Sequence, residues 1–243
     1  MDVFAAEESG REAEPLLLSC ENATVGWSLL FAHALERALA GETVLIVSAS
    51  RRALEQTPFA RPDEAPGWPS DAAATEAALA RVQLKYVGSD ALLCQFLASV
   101  HLLRPPALGL LVVEDVLAFS SESVSAAVTH SRLQRTLALA LNAAEYLAAA
   151  QPADQPRRCR LVVSATESAL PLPFSVAAVA RKHFFRQRLR VSGPLERADS
   201  KTSFLGEYSV VNPAGQLARV LISTDECATP QTPPQLQLQV YRA

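Results

Sequence analysis

LLLSCENATVGWSLLFAHALERALAGETVLIVS, residues 16 to 48, decides the fold. Leu16-Leu17-Leu18-Ser19-Cys20 is an apolar run of buried-strand length. From Gly26 to Ala40 the apolar positions Leu29, Leu30, Ala32, Ala34, Leu35, Ala38 and Leu39 recur at helical spacing. Gly41 stands where a helix hands over to a residue with positive φ. Thr43-Val44-Leu45-Ile46-Val47-Ser48 then reads as a second buried strand. Strand, helix, strand in close succession is a βαβ unit, and it implies parallel pairing.

The same alternation continues downstream. Val82 to Val87 reads as a strand, and Ser89 to Leu103 as a helix with Ser89 at its N-cap and Pro105-Pro106 beyond its end. Leu108 to Val116 is the most apolar strand and carries Glu114-Asp115 near its end. A long helical pattern spans roughly 123 to 150, and Arg160 to Ala165 forms another strand. Between these units Pro58, Pro62, Pro66 and Pro69 mark 58–70 as an exposed loop. The carboxyl third changes character: Phe184 to Val191 alternates as a half-exposed strand does. Tyr208 to Val211 and Leu217 to Ser223 flank Asn212-Pro213-Ala214-Gly215 as an antiparallel hairpin closing the sheet's edge. Residues 15–223 thus form one α/β domain. Residues 1–14, with five acids against Arg11, read as a disordered acidic leader, and 224–243 as a mobile tail whose Leu236 to Tyr241 could add an edge strand.

Composition narrows the function classes. At 49% hydrophobic, 19% charged and a net charge of −3, the 243-residue chain can bury a full core and is neither a basic arm nor an acidic tail. Cys20, Cys94, Cys159 and Cys227 are far apart with no C-x-x-C pair, and the histidines show no ligand spacing, so no metal is expected and a reducing compartment fits. No apolar run reaches the roughly 20 residues that cross a bilayer, so no membrane partner is expected. No G-x-S-x-G or H-E-x-x-H string occurs.

The turn after the first strand is where an α/β domain would hold phosphate on a helix N-terminus. Aligned with the pattern G-x-x-x-x-G-K-[ST], the chain reads Glu21-Asn22-Ala23-Thr24-Val25-Gly26-Trp27-Ser28. Gly26 and Ser28 match, as a tight-turn glycine and a hydroxyl for magnesium. Trp27 replaces the lysine that would neutralise the β and γ phosphates, and Glu21 adds a negative charge at the mouth. An ordinary strand-to-helix turn accounts for the same residues. Leu110-Leu111-Val112-Val113-Glu114-Asp115 has the form of a strand that ends in a magnesium-holding acid, although many α/β strands end this way.

Basic charge clusters from Arg157 to Lys201, where ten Lys and Arg face three acids while the rest of the chain is net acidic. Within it, Arg181, Lys182, Arg186, Arg188 and Arg190 accompany Phe184 and Phe185. Period two puts Arg186, Arg188 and Arg190 on one strand face, a row that could hold a polyanion with rings for base stacking. A strand edge kept soluble by charge explains the row equally. Phe31-Ala32-His33-Ala34 has the short F-x-x-A form of a recombinase docking motif, but Phe31 lies in a helix and reads as core.

Together with Arg81-Val82-Gln83-Leu84-Lys85-Tyr86, Leu92 to His101 and the apolar strand into Glu114, these residues resemble the RecA-like recombinase paralogs. Among those, the likeness is to the ATPase-like subunits that partner a SWIM-domain zinc-finger protein in the animal Shu complex. The resemblance covers about residues 15 to 222. It implies a RecA-like P-loop NTPase core, a mainly parallel sheet flanked by helices with a C-terminal antiparallel hairpin. It further implies a nuclear role in homologous-recombination repair, assembly with a SWIM-domain protein and with recombinase and its paralogs, and binding of single-stranded DNA. ATP and magnesium are the implied cofactors, with Gly26, Ser28, Glu114 and Asp115 as a vestigial site and Ser164-Ala165-Thr166 at the strand end that senses the γ-phosphate. With Trp27 in the lysine position, the expectation is an adaptor of weak or absent ATPase activity. A working DNA-stimulated ATPase and a scaffold that binds no DNA are the alternatives.

Overall fold

The computed structural model describes residues 14–56, 60–62, 72–102, 108–119, 126–151, 159–166, 184–185, 187–193, 206–211, 217–224 and 236–242. The first βαβ unit is β1 (Leu16–Cys20), α1 (Ala23–Leu39) and β2 (Thr43–Ser48). Then follow α2 (Arg51–Gln56), β3 (Ala60–Pro62), α3 (Ala72–Leu79), β4 (Val82–Tyr86), α4 (Asp90–Ala98), a 3-10 turn (Val100–Leu102), β5 (Leu108–Val113), α5 (Ala126–Ala149) and β6 (Arg160–Thr166). The chain ends with β7 (Gln187–Ser192), β8 (Gly206–Val211), β9 (Leu217–Thr224) and β10 (Leu236–Arg242).

All ten strands lie in one sheet, in the order β3-β10-β9-β8-β7-β1-β6-β5-β2-β4. From β7 to β4 every neighbouring pair is parallel. β7, β8, β9 and β10 are joined by antiparallel ladders. β1 and β5 are buried along their whole length, as their unbroken apolar runs require when helices cover both faces. Leu18, Val44, Ile46, Leu110, Val112 and Val162 pack under α1 and α3 with Val25, Leu29, Leu30, Ala34 and Ala78. On the opposite face, Leu17, Leu111, Val113, Leu161 and Val163 pack under α4 and α5 with Leu93, Leu97, Leu133, Leu137, Ala140 and Leu147. Each leucine fully buried in these layers contributes roughly 1.5–3 kcal/mol.

The helix boundaries follow from capping. Ser89 accepts a hydrogen bond from the Leu92 amide at the start of α4, as its N-cap position implies. Gly41, at φ 92, ends α1 where a side chain would be strained. Among the described residues, no helix is long and apolar enough to cross a membrane.

Four sequence expectations are corrected. The helix expected over 89–103 stops at Ala98 and tightens into the 3-10 turn. The strand expected to Val116 ends at Val113, because Glu114 and Asp115 turn off the sheet and Asp115 takes φ 38. Within the Pro-rich stretch, residues 60–62 form β3, which pairs with β10. β10 therefore lies between β9 and β3 instead of forming the edge. The acidic leader, except Glu14, lies outside the described residues.

Candidate functional site

The bend between β1 and α1 is two residues long, Glu21 and Asn22. Asn22 is the N-cap of α1, and its Oδ1 accepts from the Thr24 amide at 2.9 Å and the Val25 amide at 3.3 Å. The Gly26 amide donates to the Asn22 carbonyl oxygen at 3.0 Å, inside the first helical turn. Gly26 and Ser28 thus sit within the helix, where the sequence alignment had them at the rim of a loop. A Cβ on Gly26 would meet Cys20 Sγ at 3.1 Å and its Cβ at 3.2 Å, so the glycine serves close packing of helix on strand. Ser28 is fully buried, and Trp27 is buried with its ring 5.4 Å from that of Phe31.

The expected acids do lie near this bend. β6 separates β1 from β5, Cys20 is in register with Thr166, and the Thr166 amide donates to Asp115 Oδ1 at 3.0 Å. The Asp115 amide donates in turn to Ser164 Oγ at 2.8 Å. Burial raises the Asp115 carboxyl above its usual range, opposed by hydrogen bonds from the Thr166 amide and side chain and from the Leu117 and Ala118 amides. Those bonds make Asp115 a pin for the turn that follows β5. Glu114 Oε2 accepts from Ser48 Oγ at 2.9 Å, a contact across β2 and β5. Burial pushes its carboxyl up to about 7; the Ser48 bond opposes the shift and the Asp115 charge adds to it. Near neutral pH Glu114 therefore exchanges between its protonated and charged forms.

The third component is β7. Its register puts Arg188 beside Leu17 and Arg190 beside Ser19, and Arg188 and Arg190 share the α5 side of the sheet. The alternate residues Leu189 and Val191 are buried on the α1 side. Arg190 is exposed and its Nη2 lies 3.3 Å from Glu21 Oε1, while Glu21 Oε2 accepts the Gly193 amide at 3.4 Å. Glu21 thus faces the arginine strand. Arg188 has no carboxylate partner among the described residues, and its Nε and the Ser19 Oγ are buried without a hydrogen-bond partner. The same face extends across β8 and β9: Ser192 meets Ser209 with 3.1 Å between hydroxyl oxygens, and Ser209 is in register with the exposed Arg219. Arg219 lies outside the basic stretch of sequence, and only strand register brings it to this face. Arg181, Lys182 and Arg186 lie outside the described residues.

The fold is a mainly parallel sheet between helical layers, extended by antiparallel C-terminal strands. It is similar to a RadB recombinase at 15% identity and a TM-score of 0.47, over 87% of this chain and 89% of that one. It is also similar to a DnaB-like replicative helicase at 8% identity and a TM-score of 0.49, over 89% of this chain and 56% of that one. No family model matches the sequence, and no curated protein matches it.

Magnesium and a nucleoside triphosphate do not fit the residues at the bend. A phosphate cradle needs several free amides and a cation. Here Asn22 occupies the Thr24, Val25 and Gly26 amides, an indole stands in the lysine position, and Ser28 is sealed in the core. Nearby Glu114 is engaged by Ser48 and Asp115 by backbone amides.

Proposed function

We propose that this chain is a RecA-like adaptor in homologous-recombination repair that binds single-stranded DNA along β7 without turning over ATP. In this reading it pairs with a SWIM-domain zinc-finger protein, acts in the nucleus and helps recombinase and its paralogs assemble on DNA. The observation that carries the DNA part is the β7 face, where Arg188 and Arg190 project side by side and Arg188 has no carboxylate partner among the described residues. An unbalanced guanidinium beside a second one attracts phosphodiester oxygens, each neutralised phosphate releasing a counterion. The polar neighbours Ser192 and Ser209 and the exposed Arg219 lengthen that surface across two more strands. The SWIM-domain partner and the recombination role rest on the resemblance carried by Arg81 to Tyr86 and Leu92 to His101.

The test is charge reversal at both arginines. Arg188→Glu with Arg190→Glu should abolish oligonucleotide binding by the full chain while circular dichroism shows the variant folded. Undiminished binding would remove β7 as the DNA surface. Co-purification with a SWIM-domain protein tests the partner separately, and failure to co-purify would withdraw that half of the reading alone.

A further inference from the structure

We infer that the acidic leader docks on β7 of its own chain, its carboxylates covering Arg188 in the place that a polyanion would take. β1 and β7 lie side by side and run in the same direction, with Leu16 opposite Gln187, Leu17 opposite Arg188 and Ser19 opposite Arg190. The two ends of β1 therefore serve different arginines. Beyond its carboxyl end, Glu21 reaches Arg190, with 3.3 Å between Oε1 and Nη2. Ahead of its amino end come residues 1–14, which hold Asp2, Glu7, Glu8, Glu12 and Glu14 against Arg11. Of the two arginines, Arg188 is the one nearer that end.

Arg188 is also the one whose charge is unmatched. It has no carboxylate partner among the described residues, and its Nε is buried without a hydrogen-bond acceptor; the Ser19 Oγ on the same sheet face is buried without a partner as well. A guanidinium in that state calls for a planar acceptor with two oxygens, which a carboxylate supplies. Acids of the folded core are engaged elsewhere: Glu42 with Arg37, Glu55 with Arg51, Asp90 with Arg132, Glu114 with Ser48 and Asp115 with the Thr166 amide.

Reach and charge select the leader as the source. Leu17 stands beside Arg188, five residues after Glu12 and ten after Glu7, spans of at most about 18 and 36 Å. The rise from the Arg188 row to the Arg190 row is only about 7 Å. Glu12 can therefore meet Arg188, and Glu7 and Glu8 can turn back along β7 as far as Arg190. The leader's five acids against one Arg oppose ten Lys and Arg against three acids in residues 157–201. That docking lowers the affinity for nucleic acid rests on the DNA reading of β7; the docking itself does not.

The test uses the full chain carrying Glu7→Gln, Glu8→Gln and Glu12→Gln, and a fluorescein-labelled peptide of residues 1–14 added in trans. The peptide should bind this variant with a Kd on the order of 1 mM, and the binding should vanish when Arg188→Gln is added. If Arg188→Gln fails to fold by circular dichroism, a shift of the Arg188 Nε–H resonance on adding peptide to the 15N-labelled variant decides. Freed of a competitor tethered at millimolar effective concentration, the three-glutamine variant should bind a single-stranded oligonucleotide about 3- to 10-fold more tightly than the wild type at low salt, the gain fading as salt rises. A peptide that stays unbound at about 5 mM, or that binds regardless of Arg188, overturns the inference. So does oligonucleotide binding indifferent to the three glutamines. Arg188-dependent peptide binding by a chain that takes up no oligonucleotide would uphold the docking and remove the DNA reading alone.

Discussion

Replacing Glu114 by Gln should flatten part of the protein's dependence of stability on pH. Burial raises the Glu114 carboxyl from 4.5 to about 7 in the folded chain, because the charged form is excluded from the crest of β5 where Ser48 is its hydrogen-bond partner. A carboxyl raised on folding favours the native state only while it is protonated. Its contribution is complete below pH 4.5 and is lost as pH rises through about 7. Converted through the linkage relation, that loss is about 3 kcal/mol. Gln keeps an acceptor for Ser48 Oγ and carries no charge. Urea denaturation of both proteins at pH 4.5, 6, 7 and 8 should show the variant gaining on the wild type by about 3 kcal/mol across the series. Millimolar magnesium should leave the wild-type profile unchanged. A stability difference that stays flat with pH would mean that Glu114 ionises as an ordinary surface acid. A magnesium-dependent gain at pH 8 would mean that it holds the cation after all.

Other residues give independent tests. Asn22→Ala removes the acceptor for the Thr24 and Val25 amides and should cost about 1 kcal/mol in chemical denaturation. Gly26→Val drives side-chain atoms into Cys20 and should destabilise by roughly 1–3 kcal/mol, whereas a glycine held for a flexible loop would tolerate it. Glu21→Gln removes the carboxylate beside Arg190 and should tighten single-stranded DNA binding several-fold at low salt, the gain fading as salt screens the surface pair. Leu111→Ala, at a fully buried position of β5, should cost about 2–5 kcal/mol by thermal or urea unfolding.

The parallel core was legible because apolar runs such as Leu16–Cys20, Thr43–Ser48 and Leu108–Val113 are long enough for buried strands and are separated by helical periodicity. Direction and adjacency were less so. The alternation of Gln187 to Ser192 announces a strand, but period two does not say that β7 runs parallel to β1, nor that it brings Arg190 to Glu21. The place of β10 between β9 and β3 depends on pairing with residues far away in sequence, for which local pattern carries no signal. At the bend, the motif alignment on Gly26 competed with a simpler reading, an ordinary strand-to-helix turn, and the structure makes that turn with Asn22 as the N-cap. Asparagine before a helical run was available in the sequence, and the cap prevailed because it satisfies two amides at once. Glu114 and Asp115 were found as a strand end, yet their partners Ser48, Ser164 and Thr166 are contributed by other strands and became visible only through the sheet order.

The most direct measurement is the salt dependence of single-stranded DNA binding by the full chain, followed by fluorescence anisotropy with and without ATP and magnesium. The account expects affinity to fall steeply with salt, identically in both conditions, and the slope to lessen by about 1.4 when Arg188 and Arg190 are both replaced by Ala. Binding that requires the nucleotide, or a slope unmoved by the two substitutions, would contradict it.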